Sequence, residues 1–136
     1  MSHHIDWAQG RVTVVYTGHC GEAEILDVVV KLQSDYRFDA VCRALHDFSR
    51  CAGMAPSPAA LEELAARNSA AVVSNPGLRI AVIAGRADVL AMLDRFASIG
   101  LSPYELRTFA GAESANAWLG DSPPCIQVRQ DLSRSS

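Results

Sequence analysis

From His46 to Cys51 the run HDFSRC places an imidazole, a carboxylate, a hydroxyl and a thiol side by side. These are the groups of nucleophilic catalysis, in which a Ser or Cys needs a base within hydrogen-bond reach and a third group to orient that base. The run closes the strand-like segment AVCRALHDF. Consecutive strand residues point to opposite faces, so His46 and Asp47 diverge and do not meet on one nucleophile. His19, Cys20, His46 and Cys51 also lack the spacing of a four-ligand zinc site. The expectation is a non-enzyme with no catalytic residue, no metal and no cofactor. His46 and the thiols are then structural groups.

Asp47 and Ser57 carry further readings. Asp47 falls at a C-terminal strand end, the rim where open α/β sheets bind ligands. With Ser49 it is a candidate rim contact, or it bonds loop N–H groups. Ser57 precedes Pro58 at the start of PAALEELAARNSAAVV, an arrangement that caps a helix. A phosphate on that hydroxyl would meet free N–H groups and the positive end of the helix dipole. Ser57 is thus a helix cap and a candidate phosphoacceptor. Glu62 and Glu63 are helix neighbours that diverge, which suits a solvated face rather than a catalytic dyad. AGRAD, from Ala84 to Asp88, has one glycine and no Lys-Ser/Thr, so it is not a phosphate loop.

The elements that position these groups follow from periodicity. HIDWAQ and RVTVVYTG, joined near Gln9-Gly10, read as a hairpin. Ile25, Val28, Val29 and Leu32 give the next helix an apolar face. After AVCRALHDF a surface loop is expected up to Pro58. The following helix has Leu61, Leu64, Ala65, Asn68, Ala71 and Val72 as its inward stripe and stops at Asn75-Pro76-Gly77. LRIAVIAG is apolar on both alternating sets, as in a strand covered on both faces. ADVLAMLDRFASIG reads as a helix with Gly100 as its C-cap and with Val89, Leu90, Leu93, Phe96 and Ala97 as its stripe. Met92 and Ile99 lie off that stripe, so the apolar arc is wide. A wide arc suits a dimer contact, a partner groove, or an apolar pocket lined by Leu64, Asn68, Leu90, Met92, Leu93 and Phe96. It also suits simple packing by the preceding helix. YELRTFAG reads as a strand nearer an edge, and GAESANAWL as a short last helix. The order ββαβαβαβα implies a mixed, mostly parallel sheet begun by an antiparallel hairpin. Residues 1–120 form a single α/β domain, and 121–136 an irregular tail.

A net charge of −3 and a single lysine, Lys31, argue against a nucleic-acid footprint. No run of about 20 apolar residues is present, and MSHHIDWAQG lacks the order of a signal peptide. A cytoplasmic protein is expected. On that basis the four cysteines, Cys20, Cys42, Cys51 and Cys125, are read as free thiols.

From Ile5 to Gly120 the chain resembles the SpoIIAA-like branch of the STAS superfamily. The resemblance rests on SDYRF (Ser34–Phe38) closing the first helix, LHDFS (Leu45–Ser49) ending a strand, LRIAVIAG, and RTFAGAESANAWLG (Arg107–Gly120). It implies a STAS-like fold. It also implies a regulatory protein that binds a kinase-like or sigma-regulatory partner, with a phosphorylated serine at the start of the second main helix, where Ser57 falls. Asp47 and Ser49 match the family's Asp-x-Ser. Ala55 and Pro58 replace an Asp and a Gly beside the switch. Stand-alone members also resemble the CRAL-TRIO lipid-binding fold, which implies a small apolar ligand or membrane-surface contact as the alternative. A homodimer is compatible with either reading.

Overall fold

Gly10 takes φ 71°, a left-handed turn conformation that glycine adopts without steric cost, and reverses the chain between two strands. In the computed structural model, β1 (Ser2–Ala8) and β2 (Arg11–Cys20) pair antiparallel from Ser2 opposite Thr17 to Ala8 opposite Arg11. The structure describes residues 2–8, 10–54, 58–73, 75–99 and 104–120. The remaining elements are α1 (Glu22–Ser34), a 3-10 turn (Phe38–Ala40), β3 (Arg43–Met54), α2 (Pro58–Ala71), β4 (Arg79–Ile83), α3 (Ala87–Ile99), β5 (Glu105–Phe109) and α4 (Ala112–Gly120). The five strands lie in chain order, with β2 to β5 parallel. β1 and β5 are the edges, as the polar alternation of YELRTFAG predicts for the latter.

Parallel neighbours laid down in one direction, each joined by a right-handed crossover, put every crossover helix on the same face. Accordingly α1, α2 and α3 share one face. Val12, Val14 and Tyr16 of β2, Ala44 and Phe48 of β3, and Ile80 and Val82 of β4 point into it. The α1 face Ile25, Val28, Val29 and Leu32 is buried as its spacing predicts. α4 follows the last strand and crosses to the other face. Its Ala115 and Leu119, one turn apart, seat on Leu45, Ala81 and Ile83. The Arg79 guanidinium lies 4.0 Å over the Trp118 ring and pairs with Glu105 at 3.2 Å, bracing that helix against the sheet. β4 is therefore covered on both faces.

Several expectations are corrected. β3 does not end at Phe48: it runs to Met54 alongside β2, and the expected loop from Phe48 is strand up to that residue. Between Val15–Asp47 and Thr17–Arg50, and again between Gly18–Cys51 and His19–Gly53, β3 carries one extra residue. Each bulge resets the alternation of faces. Unbroken alternation from Ala44 would turn Arg50 inward. Instead Cys51 is buried and Arg50 is exposed. On α3 the buried stripe is Val89, Met92 and Phe96, with Leu93 partly buried, while Leu90 is 41% exposed. Met92, not Leu90, is the inward residue, because it lies three positions after Val89 and four before Phe96. Cys20 and Cys51 are free, but Cys42 is disulfide-bonded. Gly100, Cys125, the tail from Asp121 and the capping residue Ser57 lie outside the described residues.

Asn75 is the buried polar side chain among the described residues. Its Nδ2 donates to the carbonyls of Phe38 (2.8 Å) and Val41 (2.7 Å), tying the exit of α2 to the approach to β3. Asn75→Ala leaves both carbonyls without that donor. It is expected to lower stability by roughly 2–4 kcal/mol, seen in urea as a lower midpoint with an unchanged slope.

Candidate functional site

The inner sheet face and its three helices do not meet everywhere. Between them lies a cavity of about 90 Å³. Tyr16 of β2 and His46 and Phe48 of β3 lie on its sheet side, and Leu32, Leu64 and Phe96 come from the three helices above. β3 supplies His46 because Ala44, His46 and Phe48 share one face of the strand before the first bulge. β2 supplies Tyr16 by the same alternation, after Val12 and Val14.

Among the described residues the cavity wall is apolar except for two hydrogen-bonded pairs. Tyr16 Oη lies 2.9 Å from His46 Nδ1. The phenol ring stacks on Phe48, with centroids 4.2 Å apart and planes 5° from parallel, and on the His46 ring at 5.9 Å. Gln33 Nε2 of α1 donates to Asn68 Oδ1 of α2 at 3.0 Å. Burial alone pushes the His46 imidazole down to about 4, so it is neutral at pH 7. Burial, then the nearby Cys20, Glu24 and Cys51, drives the Tyr16 phenol far above its ordinary range. Among the described residues that line it, none is Lys, Arg, Asp or Glu.

Cys51, between the two bulges, and Cys20, at the end of β2, are buried free thiols. Cys51 Sγ donates to the Gly53 carbonyl at 3.2 Å. Burial, with a hydrogen bond to Cys51, pushes the Cys20 thiol up to about 12, so it stays protonated and weakly nucleophilic. The His19 ring occupies the space beside Gly53 where a side chain would sit, its Nδ1 2.9 Å from a Cβ built there. The bare backbone at Gly53 allows that approach.

Of the candidate pocket residues, Leu64, Asn68, Met92, Leu93 and Phe96 line this one cavity, while Leu90 does not. Asp47 accepts the Ser49 N–H at 2.9 Å, and Ser49 is exposed. His46 and Asp47 fall on opposite faces, as strand alternation requires. Tyr16 and Gln33 were not singled out from the sequence. Tyr16 continues the inward set Val12, Val14, and that alternation is the signal that finds it. Among the described residues no group of three or more His, Cys, Asp or Glu side chains stands together as a metal site would require. Nor is any helix among them long and apolar enough to cross a membrane.

No family model and no curated protein matches the chain. Solved structures do. The anti-sigma factor antagonist SpoIIAA in its unphosphorylated form is 11% identical over 85% of this chain and 94% of that one, with TM-score 0.55. The phosphorylated form of the Bacillus cell fate determinant SpoIIAA is 14% identical over 85% and 98%, with TM-score 0.53. An uncharacterised DUF3478-family protein with a SpoIIAA-like fold from Shewanella loihica PV-4 is 17% identical over 87% and 92%, with TM-score 0.52. The chain has a SpoIIAA-like, STAS-like fold.

The neutral imidazole ties stability to pH. His46 titrates near 4 folded and near 6.5 unfolded. Between those values the unfolded chain binds the extra proton. The contribution is complete above pH 6.5 and is lost as pH falls towards 4, about 3 kcal/mol in all. His46→Phe is expected to flatten this part of the curve, measured as the urea midpoint at pH 7 and pH 4.5. Cys20 and Cys51 are expected to resist iodoacetamide at pH 7.5 in the native protein and to react in urea, read by intact mass.

Proposed function

We propose that the protein is a non-catalytic regulatory module that acts by binding a protein partner at the rim where β3 runs into α2. The observation that carries this reading is the overhang of β3. Its pairing with β4 stops at Asp47–Ile83, while its pairing with β2 continues to Met54. Seven residues thus project beyond β4 towards α2, with Ser49, Arg50 and Ala52 exposed along them. The SpoIIAA-like fold supports the same reading, since the matched SpoIIAA is an anti-sigma factor antagonist. A kinase-like or sigma-regulatory protein is the partner class this favours. Ser57, next to this rim in sequence, is the proposed point of control, by phosphorylation. Asp47 and Ser49 contribute through the bond from the Ser49 N–H to the Asp47 carboxylate. The soluble STAS-like architecture fits a cytoplasmic setting.

The apolar cavity favours a second reading, a carrier of a small apolar or lipid-like ligand in the manner of CRAL-TRIO proteins. The two readings are compatible if ligand occupancy alters the rim.

Crosslinking in the native cell, followed by intact-mass and phosphosite mapping, tests the first reading. A protein partner is expected to be joined to the wild type at the rim. Ala52→Arg and Ser57→Asp are each expected to weaken its binding at least tenfold with the urea midpoint unchanged. Equal losses of stability and binding in Ser57→Ala, or full binding by Ala52→Arg, would overturn it.

A further inference from the structure

We propose that the cavity is built for a small uncharged molecule with one hydrogen-bond acceptor, such as a short ketone, and that His46 Nε2–H is the donor that orients it. The proposal rests on the ligand-carrier reading and names the chemistry of its occupant.

The proton positions follow from the pairing. The Tyr16 hydroxyl is buried, and its partner among the described residues is His46 Nδ1. Were Nδ1 the donor, the phenolic hydrogen would be left in the core with no acceptor, a costly state. The hydroxyl therefore donates to Nδ1, and the neutral imidazole carries its proton on Nε2. That N–H makes no hydrogen bond within the described structure, and the ring lines the cavity. A donor lining an apolar space is satisfied by an acceptor entering that space.

Charge narrows the class. Among the described residues no carboxylate, ammonium or guanidinium group lines the wall, and burial keeps the imidazole neutral. An ionised carboxylate or ammonium entering here would lose its hydration with no counter-charge to replace it. Gln33 and Asn68 satisfy each other through one bond and leave further amide capacity for a second polar atom or water. Size narrows it again. About 90 Å³ is less than the roughly 150 Å³ of an apolar cavity that takes benzene. The occupant therefore has on the order of three to four non-hydrogen atoms inside the cavity, with any further atoms extending out of it. Partly exposed Leu64 and Leu93 on the wall give any longer tail a way out between α2 and α3. Met92, a flexible wall residue, allows local adjustment.

The experiment uses three probes of matched size with the intact chain at pH 7: 2-pentanone, its isostere 2-methyl-1-pentene, and butanoate. Xenon serves as a fourth, purely apolar probe. Binding is read from methyl and imidazole 15N shifts. The expected result is xenon entry, and 2-pentanone binding about tenfold tighter than the alkene, as one added hydrogen bond would give. The His46 Nε2 signal should move with the ketone, and butanoate should not bind. His46→Phe should equalise ketone and alkene while xenon still enters. The Nε2 shift in the wild type decides the matter if that variant does not fold. Xenon and both neutral probes binding without preference would overturn the inference while leaving the ligand-carrier reading intact. Entry of no probe would overturn both. Tight butanoate binding would overturn the neutral-ligand assignment alone.

Discussion

The constraint on which the rest of the molecule depends is the direction in which the sheet is laid down. Strands β2 to β5 are parallel and appear in space in the order they appear in the chain. Because each crossover turns right-handed, three helices are committed to one face. Among the described elements the other face carries α4, which packs over β4 and β5. The hairpin strand β1 extends the sheet beyond β2, and Ile5 and Trp7 pack against the inner core while His4, Asp6 and Ala8 stay exposed. The outer hairpin face is thus free to be polar, which is the ordinary solution for an antiparallel edge.

Three helices on one face also explain why a cavity forms there. α2 touches α1 on one side and α3 on the other, and its inward stripe is short of bulk. Ala65 is fully buried, and Asn68 occupies the position where a large apolar side chain would close the space. Asn68 is held by Gln33 rather than by packing. The sheet beneath supplies three stacked rings, Phe48, Tyr16 and His46, whose planes are fixed by one another. A rigid aromatic floor under a roof with small and polar residues leaves a gap that neither layer fills.

Much of this was legible in the sequence because it depends on local periodicity. The hairpin, all four helices, the doubly covered β4 and five of the six pocket residues follow from apolar spacing. Leu90 and Met92 exchange roles because either residue extends a plausible helical stripe. Only the packing of Val89 and Phe96 decides between them. The length of β3 was hidden by its two bulges, which break the period-two pattern and make Ser49 to Met54 resemble a loop. The Tyr16–His46 pair was hidden for a different reason. It joins residues 30 positions apart across strands whose register, Val14 opposite His46, is set by the whole sheet. No local pattern reports such a pair. Asn75 read as a helix stop, and its two buried acceptors on Phe38 and Val41 come from a distant turn.

The opening run of reactive groups also takes its meaning from burial. A catalytic base works best with a pKa near the working pH, and a thiol nucleophile needs a lowered one. Here burial acts the opposite way on the three groups that could do such chemistry. His46 is pushed down, Tyr16 up and Cys20 up, so each is held in its neutral form across the physiological range. Among the described residues that line the cavity, no charged side chain offsets the cost of an imidazolium on His46 or a phenolate on Tyr16. Groups held neutral in an apolar wall are poor at moving protons and good at directing a single hydrogen bond. The same residues that first resemble a catalytic cluster are therefore better suited to recognition, with Asp47 turned away to the rim and bonded to Ser49.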